Sequence, residues 1–212
     1  MSKTKEKILN TSRILFNELG YGNVTIRMIA LKLNMSSGNL NYHFKKREDI
    51  LEALYFEMVT TFDERIANLE QQIPTLNKMQ IDIKSSMERM VDYTFFWSDL
   101  YNLLSLNEKI KTHFNTVYIR RKNGLDFLFN SFTENEILKP FEFKKEREFL
   151  VERMINFGNT WLYASSLYKK ETFTNKYINN QTNSLIALLY PYLTHKGKKE
   201  FQLLVPTFFD KK

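Results

Sequence analysis

The sequence predicts an all-α protein, and three observations lead to that prediction. The 212 residues include only 6 Gly and 4 Pro, so the residues that form tight turns are scarce. Apolar residues recur at intervals of three and four along most of the chain, which is the spacing of one helix face. Hydrophobic residues make up 43% of the sequence, including 18 Phe and 11 Tyr, and can form a sizeable core. About nine or ten helices are expected in total.

The first two helices are predicted in the N-terminal quarter. Residues 4–19 carry apolar side chains on one face, and Gly20 and Gly22 stop that helix. Thr25 is a good N-cap for a second, short helix, because its hydroxyl can accept a backbone N–H of the first turn. The inward residues of this second helix follow the i, i+3, i+4, i+7 spacing and are Ile26, Ile29, Ala30 and Leu33.

A third helix follows after a tight connection at Asn34 and Met35. Ser36 can cap it, and its inward residues are Leu40 and Phe44. A fourth helix is predicted from residue 47 to about residue 72, before a proline. The remaining helices are predicted over about 76–96, 107–132, 144–167 and 175–192, with a short piece at 100–104 and a last helix after Gly197.

The third helix is made of residues that form helices poorly. Its segment reads SSGNLNYHF and contains two Ser, a Gly and two Asn. With Leu40 and Phe44 inward, Gly38, Asn39 and Tyr42 point outward. Two short helices around a three-residue turn are the arrangement of helix-turn-helix DNA readers, whose second helix lies in the major groove. Polar side chains that reach base edges and phosphates are expected on such a helix.

Charge is concentrated in the same quarter of the chain. The first fifty residues hold nine Lys or Arg against four Asp or Glu, and so carry most of the net charge of +7. A basic segment on a nearly neutral body is typical of a protein with a polyanion partner. The alternative is an ordinary solvated charged face, and charge alone does not separate the two.

The stretch from Leu15 to Leu51, LFNELGYGNVTIRMIALKLNMSSGNLNYHFKKREDIL, resembles the TetR/AcrR family of bacterial transcriptional regulators. The matching residues are Leu15, Phe16, Gly20, Tyr21, Thr25, Ile29, Ala30, Ser36, Gly38, Leu40, Phe44, Lys45 and Glu48. Asn41 and His43 depart from the family pattern, because both stand where the family usually has Tyr. Both can still donate hydrogen bonds to phosphates, so DNA binding should survive these departures.

The resemblance implies a helix-turn-helix DNA-binding domain over 1–48, with the fourth helix connecting it to a ligand-binding and dimerisation body over 49–212. The residues that it implies in DNA contact are Thr25, Arg27, Ser36, Ser37, Gly38, Asn39, Asn41, Tyr42, His43, Lys46 and Arg47. Three of these have structural alternatives. The ring of Tyr42 could pack on Lys45 or Lys46, that of His43 could cap the fourth helix, and Arg27 could be a solvated or paired charge.

For the body, the resemblance implies a homodimer through the helices near 144–167 and 175–192. The second of these helices holds more apolar residues than one face requires, which predicts an exposed apolar patch. The resemblance also implies a small-molecule inducer, and the aromatic composition favours an apolar or aromatic one. Tyr93, Trp97 and Trp161 are the candidate ligand contacts, and an ordinary core role is the alternative for each.

Other functional classes find little support in the sequence. The three histidines are far apart and lack the spacing of metal ligands, and no phosphate loop or nucleophile motif is present. We therefore expect no catalytic activity, no metal and no cofactor beyond the inducer. A helical small-molecule-binding or interaction protein without specific DNA binding is the alternative. The lack of Cys favours a reducing compartment, and neither a secretory signal nor a bilayer-spanning run is found in the sequence. The resemblance implies a location in the bacterial cytoplasm, in association with the nucleoid and not a membrane.

Overall fold

The computed structural model describes residues 2–69, 74–168 and 173–210, with side chains described outside 61–69. Within these ranges the chain forms eleven α-helices and no strand, which confirms the all-α fold. The helices are α1 (Lys3–Leu19), α2 (Ile26–Lys32), α3 (Ser37–His43), α4 (Arg47–Leu69), α5 (Leu76–Asp92), α6 (Thr94–Ser98), α7 (Leu100–Leu106), α8 (Glu108–Glu134), α9 (Lys144–Tyr168), α10 (Asn175–Ala187) and α11 (His195–Leu204). The predicted end of the fourth helix near residue 72 lies outside the described residues.

The helix predicted over 76–96 is two helices in the structure. Helix α5 ends at Asp92, and Tyr93 has a non-helical backbone (φ −123°, ψ 41°) before α6 begins. A side chain of α1 holds this break. The amide of Asn17 donates to the carbonyl oxygen of Asp92 at 2.9 Å and accepts from the backbone N–H of Phe95 at 3.0 Å. The carbonyl of Asp92 and the N–H of Phe95, which flank the interruption, are therefore both hydrogen-bonded.

The C-terminal helices also differ from their predicted bounds. Helix α10 ends at Ala187, and a 3₁₀ helix containing Pro191 covers Tyr190–Tyr192. Helix α11 begins at His195 instead of after Gly197, because the hydroxyl of Thr194 accepts the backbone N–H of Gly197 at 3.1 Å and caps the first turn.

The chain divides into two compact units, Met1–Asp63 with Asp92–Asn115, and Glu64–Val91 with Thr116–Lys212. In the first unit, α1 packs on α2 and α6 around fully buried apolar residues. The ring centroid of Phe16 lies 5.0 Å from that of Tyr21 and 5.2 Å from that of Phe95. The other buried residues of this core include Ile8, Ile29, Leu40, Ile50, Leu54 and Tyr55.

In the second unit, the apolar residues of α10 face inward. Leu185 and Ile186 are buried, as is Leu189 just after the helix, while Leu188 and Tyr192 of the predicted helix are only partly exposed. None of the five is among the strongly exposed apolar residues, so the exposed apolar patch predicted for this helix is wrong. Their burial against other helices of the same unit uses up the surplus apolar surface. Helix α9 instead exposes apolar residues along one side, with Phe149, Tyr163 and Leu167 each about half exposed (55%, 47% and 58%).

The segment that leads into α11 is joined to the segment that follows α8 by backbone hydrogen bonds. The carbonyl oxygen of Ile137 accepts the backbone N–H of Thr194 at 3.0 Å, and that of Tyr192 accepts the N–H of Lys139 at 2.9 Å. Gly197 faces this junction, where a Cβ atom would lie 2.2 Å from the Ile137 oxygen. Among the described helices, none has both the length and the apolar character needed to cross a bilayer.

Candidate nucleic-acid interface

Helices α2 and α3 begin at the N-caps that the sequence predicts. The hydroxyl of Thr25 accepts the backbone N–H of Met28 at 3.2 Å, and the hydroxyl of Ser36 accepts that of Asn39 at 3.1 Å. Each cap satisfies one of the backbone donors that have no partner within the helix. The hydroxyl oxygens therefore fix the start of both helices, and Ser36 has a structural role in addition to its predicted DNA contact.

The turn between α2 and α3 is set by Asn34. Its backbone is left-handed (φ 53°), the N–H of Met35 donates to the carbonyl of Ala30 at 3.0 Å, and the N–H of Asn34 donates to that of Leu31 at 3.1 Å. These two bonds form a Schellman motif, which terminates a helix and reverses the chain within a few residues. The direction of α3 relative to α2 therefore depends on one residue that tolerates positive φ.

We expect Asn34→Val to lower the free energy of unfolding by roughly 1–2 kcal/mol, because a β-branched residue is strained in the left-handed region. Asn34→Gly should be near neutral or slightly stabilising, since glycine adopts this conformation without strain. Urea denaturation of the two variants beside the wild type measures both effects. Equal stability of the valine and glycine variants would show that the turn does not need the left-handed conformation.

Helix α3 is buried on one face and exposed on the other, as predicted. Leu40 is fully buried and Phe44 nearly so, whereas the side chain of Tyr42 is 86% exposed. The ring of Tyr42 meets the ring of His43 edge to face, with centroids 5.3 Å apart. Of the other residues predicted in DNA contact, those that are exposed are Thr25, Arg27, Ser36, Gly38, Asn39, Asn41 and Lys46, while Ser37, His43 and Arg47 are partly exposed.

Gly38 lies in the first turn of α3 and faces open space. A Cβ atom there would find nothing closer than the Ser36 hydroxyl, at 3.9 Å. Packing within the protein therefore does not require a glycine at this position. A residue without a side chain on an exposed helix face is what close approach of another molecule requires.

Helix α2 adds an exposed apolar side chain that the sequence analysis missed. Leu31 is 76% exposed. Leu31 does not follow the spacing of the inward residues of α2. The sequence pattern alone could therefore have placed it on the outer face of this helix. An exposed aliphatic group beside a polar reading helix can contact the methyl group of thymine.

Arg47 takes a structural position. One nitrogen of its guanidinium, Nη1, donates to the carbonyl oxygens of Val24 at 2.7 Å, Tyr21 at 3.0 Å and Gly22 at 3.4 Å. Its guanidinium carbon lies 4.1 Å from the centre of the Tyr21 ring, and burial raises the pKa of that tyrosine hydroxyl. Arg47 thus joins the start of α4 to the loop before α2, and its predicted phosphate contact stays a prediction.

The start of α4 is closed by its own third residue. The carboxylate of Asp49 accepts the backbone N–H of Lys46 at 3.1 Å. This is half of a capping box, and it leaves the side chain of Lys46 exposed and directed to solvent. His43 therefore is not needed as a cap for this helix.

The three residues predicted to contact a ligand are all buried, and they are divided between the two units. In the first unit, the hydroxyl of Tyr93 donates to the Glu57 carboxylate at 2.5 Å. The indole N–H of Trp97 is buried and has no hydrogen-bond partner among the residues that the structure describes. In the second unit, the indole N–H of Trp161 donates to the sulfur of Met90 at 3.3 Å. Their contact with a ligand stays a prediction.

Comparison with known proteins gives matches along most of the chain. The chain is 28% identical to the uncharacterized HTH-type transcriptional regulator YerO of Bacillus subtilis over 122 residues. This aligned stretch covers 55% of this chain and 42% of that protein. A solved TetR-family regulator from Marinobacter aquaeolei has a TM-score of 0.87 at 24% identity, covering 98% of this chain and 99% of that one. A solved regulator from Saccharomonospora viridis in complex with choline has a TM-score of 0.68 at 22% identity, covering 92% and 100%.

Two family models match consecutive parts of the sequence. The model described as bacterial regulatory proteins of the tetR family matches residues 8–54, which contain α2, the turn and α3. The model described as bacterial transcriptional repressor matches residues 57–201, more than half of the chain. The helix-turn-helix geometry and these two matches lead to one conclusion: the chain belongs to the TetR family of bacterial transcriptional regulators.

Proposed function

We propose that this regulator is a repressor that binds a palindromic DNA operator as a homodimer and is released by a small molecule. The observation that supports it most directly is helix α3, whose exposed face carries Gly38, Asn39 and Tyr42 while Leu40 anchors it from the buried side. This function requires no catalytic chemistry. It places the protein on the chromosome, and hence in the bacterial cytoplasm, associated with the nucleoid.

The DNA contacts that we propose fall into two groups. Asn39 and Tyr42 project from the exposed face of α3, where side chains of a recognition helix meet base edges. The remaining contacts would hold the backbone, and they come from Thr25, Arg27, Ser36, Ser37, Asn41, His43, Lys46 and Arg47. The side chain of Arg27 is exposed on α2, so its charge is accessible to a phosphate.

The small size of the recognition helix supports a dimer. One helix covers only a few base pairs, and two related by a two-fold axis reach major grooves roughly 34–36 Å apart. We propose that α9 and α10 form the dimer interface. The exposed apolar stripe of α9, with Phe149, Tyr163 and Leu167, supports this for α9. Helix α10 would contribute through its polar face, because its apolar residues are already buried.

The proposed inducer is a small molecule bound in the helical body. The solved regulator from Saccharomonospora viridis, which shares this fold, is in complex with choline, so a protein of this fold can bind a small molecule. In this chain, the buried and unpartnered indole N–H of Trp97 supports a ligand contact, since buried donors are nearly always paired. Ligand binding would weaken DNA binding only if the ligand has different affinities for the DNA-bound and free arrangements.

Selection from a random pool of DNA duplexes by the purified protein tests the proposal. We expect an enriched palindrome whose half-sites lie about one helical turn apart. Affinity for it should fall steeply as salt rises, because Lys and Arg displace counterions from the phosphates. Absence of an enriched sequence, or binding that is insensitive to salt, would instead favour the alternative of a helical binding protein without specific DNA recognition.

A further inference from the structure

An arginine of the second unit lies partly buried between two helices, and no carboxylate among the described residues balances its charge. Arg121, on α8, donates from Nη1 to the side-chain oxygen of Asn159 on α9 at 2.6 Å. No described carboxylate forms an ion pair with it. Asn159 accepts a hydrogen bond from one of the five N–H groups of the guanidinium. Because its side chain is neutral, it does not balance the positive charge.

The surroundings of Arg121 remove water from its charge. Burial lowers the pKa of the guanidinium, and no neighbouring carboxylate opposes that shift. The residue nevertheless keeps part of its surface accessible, so the site is enclosed without being sealed. A desolvated charge without a partner is strongly unfavourable, and desolvated charges in proteins are as a rule paired with a charge of opposite sign.

Two glycines in long helices accompany this arginine. Gly158 lies in the middle of α9, and a Cβ atom there would lie 2.9 Å from Nη2 of Arg121, so the missing side chain makes room for the guanidinium. Gly124 lies on α8 one turn after Arg121, and a Cβ atom there would meet nothing within 4 Å. Each glycine costs about 1 kcal/mol relative to alanine in a helix. Their positions leave the guanidinium in place beside open space on the same helix face.

We propose that Arg121 and Asn159 bind the oxyanion group, a carboxylate or a phosphate, of the small molecule to which this regulator responds. The planar guanidinium matches the two oxygens of such a group, and the Asn159 side chain fixes its orientation. This inference rests on the proposed function, since it assigns a chemical class to the proposed inducer. It adds an anionic head group to the apolar or aromatic ligand that the sequence predicts.

Thermal unfolding with three probes tests the site. Benzoate and phenyl phosphate carry the proposed head groups, and benzyl alcohol is the neutral control, all at millimolar concentration and constant ionic strength. We expect at least one anion to raise the melting temperature of the wild type by roughly 2–4 °C. Arg121→Met should abolish that rise. Arg120→Met, which removes the exposed neighbouring arginine, should keep it. The larger of the two anion shifts identifies the head group.

A rise with benzyl alcohol equal to that with the anions would overturn the proposal, as would equal anion responses of wild type and Arg121→Met, or no response of the wild type. A second measurement needs no ligand. The double variant Arg121→Met/Asn159→Leu should melt at or above the wild-type temperature, because it removes a charge that no described residue balances together with its hydrogen-bond partner Asn159. A lower melting temperature would mean that the protein itself supplies the countercharge.

DNA binding separates this inference from the proposed function. Without added anion, Arg121→Met and Arg120→Met should bind the selected palindrome as the wild type does. If the wild type binds DNA and both variants respond equally to the anions, the anion site is wrong and the regulator function stands. If the wild type responds to an anion but binds no palindrome, the regulator function fails and the anion site stands.

Discussion

Gly38→Glu is expected to lower the affinity for operator DNA by at least about 100-fold, which is roughly 2.7 kcal/mol. The new side chain would stand where the backbone of α3 meets the groove, and its negative charge would face the phosphates. The fold should be unaffected. A Cβ at position 38 meets only the Ser36 hydroxyl at 3.9 Å, and an acidic residue in the first turn of a helix is favourable. Fluorescence anisotropy with the selected duplex measures the affinity, and thermal unfolding measures the fold.

Gly22→Glu is the matched control for this experiment. Gly22 is also an exposed glycine of the first unit, and a Cβ there meets nothing within 4 Å. Gly22→Glu introduces the same charge outside the recognition helix. We therefore expect the affinity to fall by no more than about threefold, from long-range repulsion alone. If the two variants lost affinity equally, the effect would be one of net charge, and α3 would not be the helix in the groove.

Gly197→Ala is expected to lower the free energy of unfolding by about 3 kcal/mol, the upper end of the usual cost of adding a methyl group to a closely packed site. The added methyl group would lie 2.2 Å from the carbonyl oxygen of Ile137, and this oxygen is held in place by the backbone N–H of Thr194. Backbone cannot rotate away as a flexible side chain does, so α11 must move and break the contacts at its start. Thermal unfolding should show a fall in melting temperature of roughly 6–12 °C.

Gly124→Ala serves as the control for that variant. It makes the same substitution in another helix of the second unit, at a position where the new methyl group has open space. We expect a gain of roughly 0.5–1 kcal/mol, because alanine is the better helix former. If the two alanine variants had the same stability, the close contact between Gly197 and Ile137 would be absent in solution.

The helix-turn-helix could be predicted from the sequence because its determinants are local. Thr25 and Ser36 cap helices through hydrogen bonds that reach only three residues ahead, and the inward positions of Leu40 and Phe44 follow from helical spacing. The break between α5 and α6 could not be predicted in the same way. It depends on Asn17, far away in the sequence, and nothing in the local pattern reveals that partner.

The candidate sites show the same division. The exposure of Asn39 and Tyr42 follows from the helical pattern, so those positions were accessible to sequence reasoning. The setting of Arg121 was not, because one arginine in a basic stretch of α8 resembles its neighbours until the packing of α9 is known. The burial of α10 was misjudged for a related reason. Counting its apolar residues did not show how much surface its own unit would cover.

The three carbonyl oxygens that Arg47 binds have a mechanical consequence. These hydrogen bonds fix the beginning of α4 to the segment before α2, so the two are expected to move as one rigid body. A tilt of α4 would therefore move the helix-turn-helix formed by α2 and α3 as a unit and leave the internal structure of that unit unchanged. In the proposed dimer, the quantity that changes would be the distance between the two helix-turn-helix domains, so one conformational change would release the operator without unfolding either recognition surface.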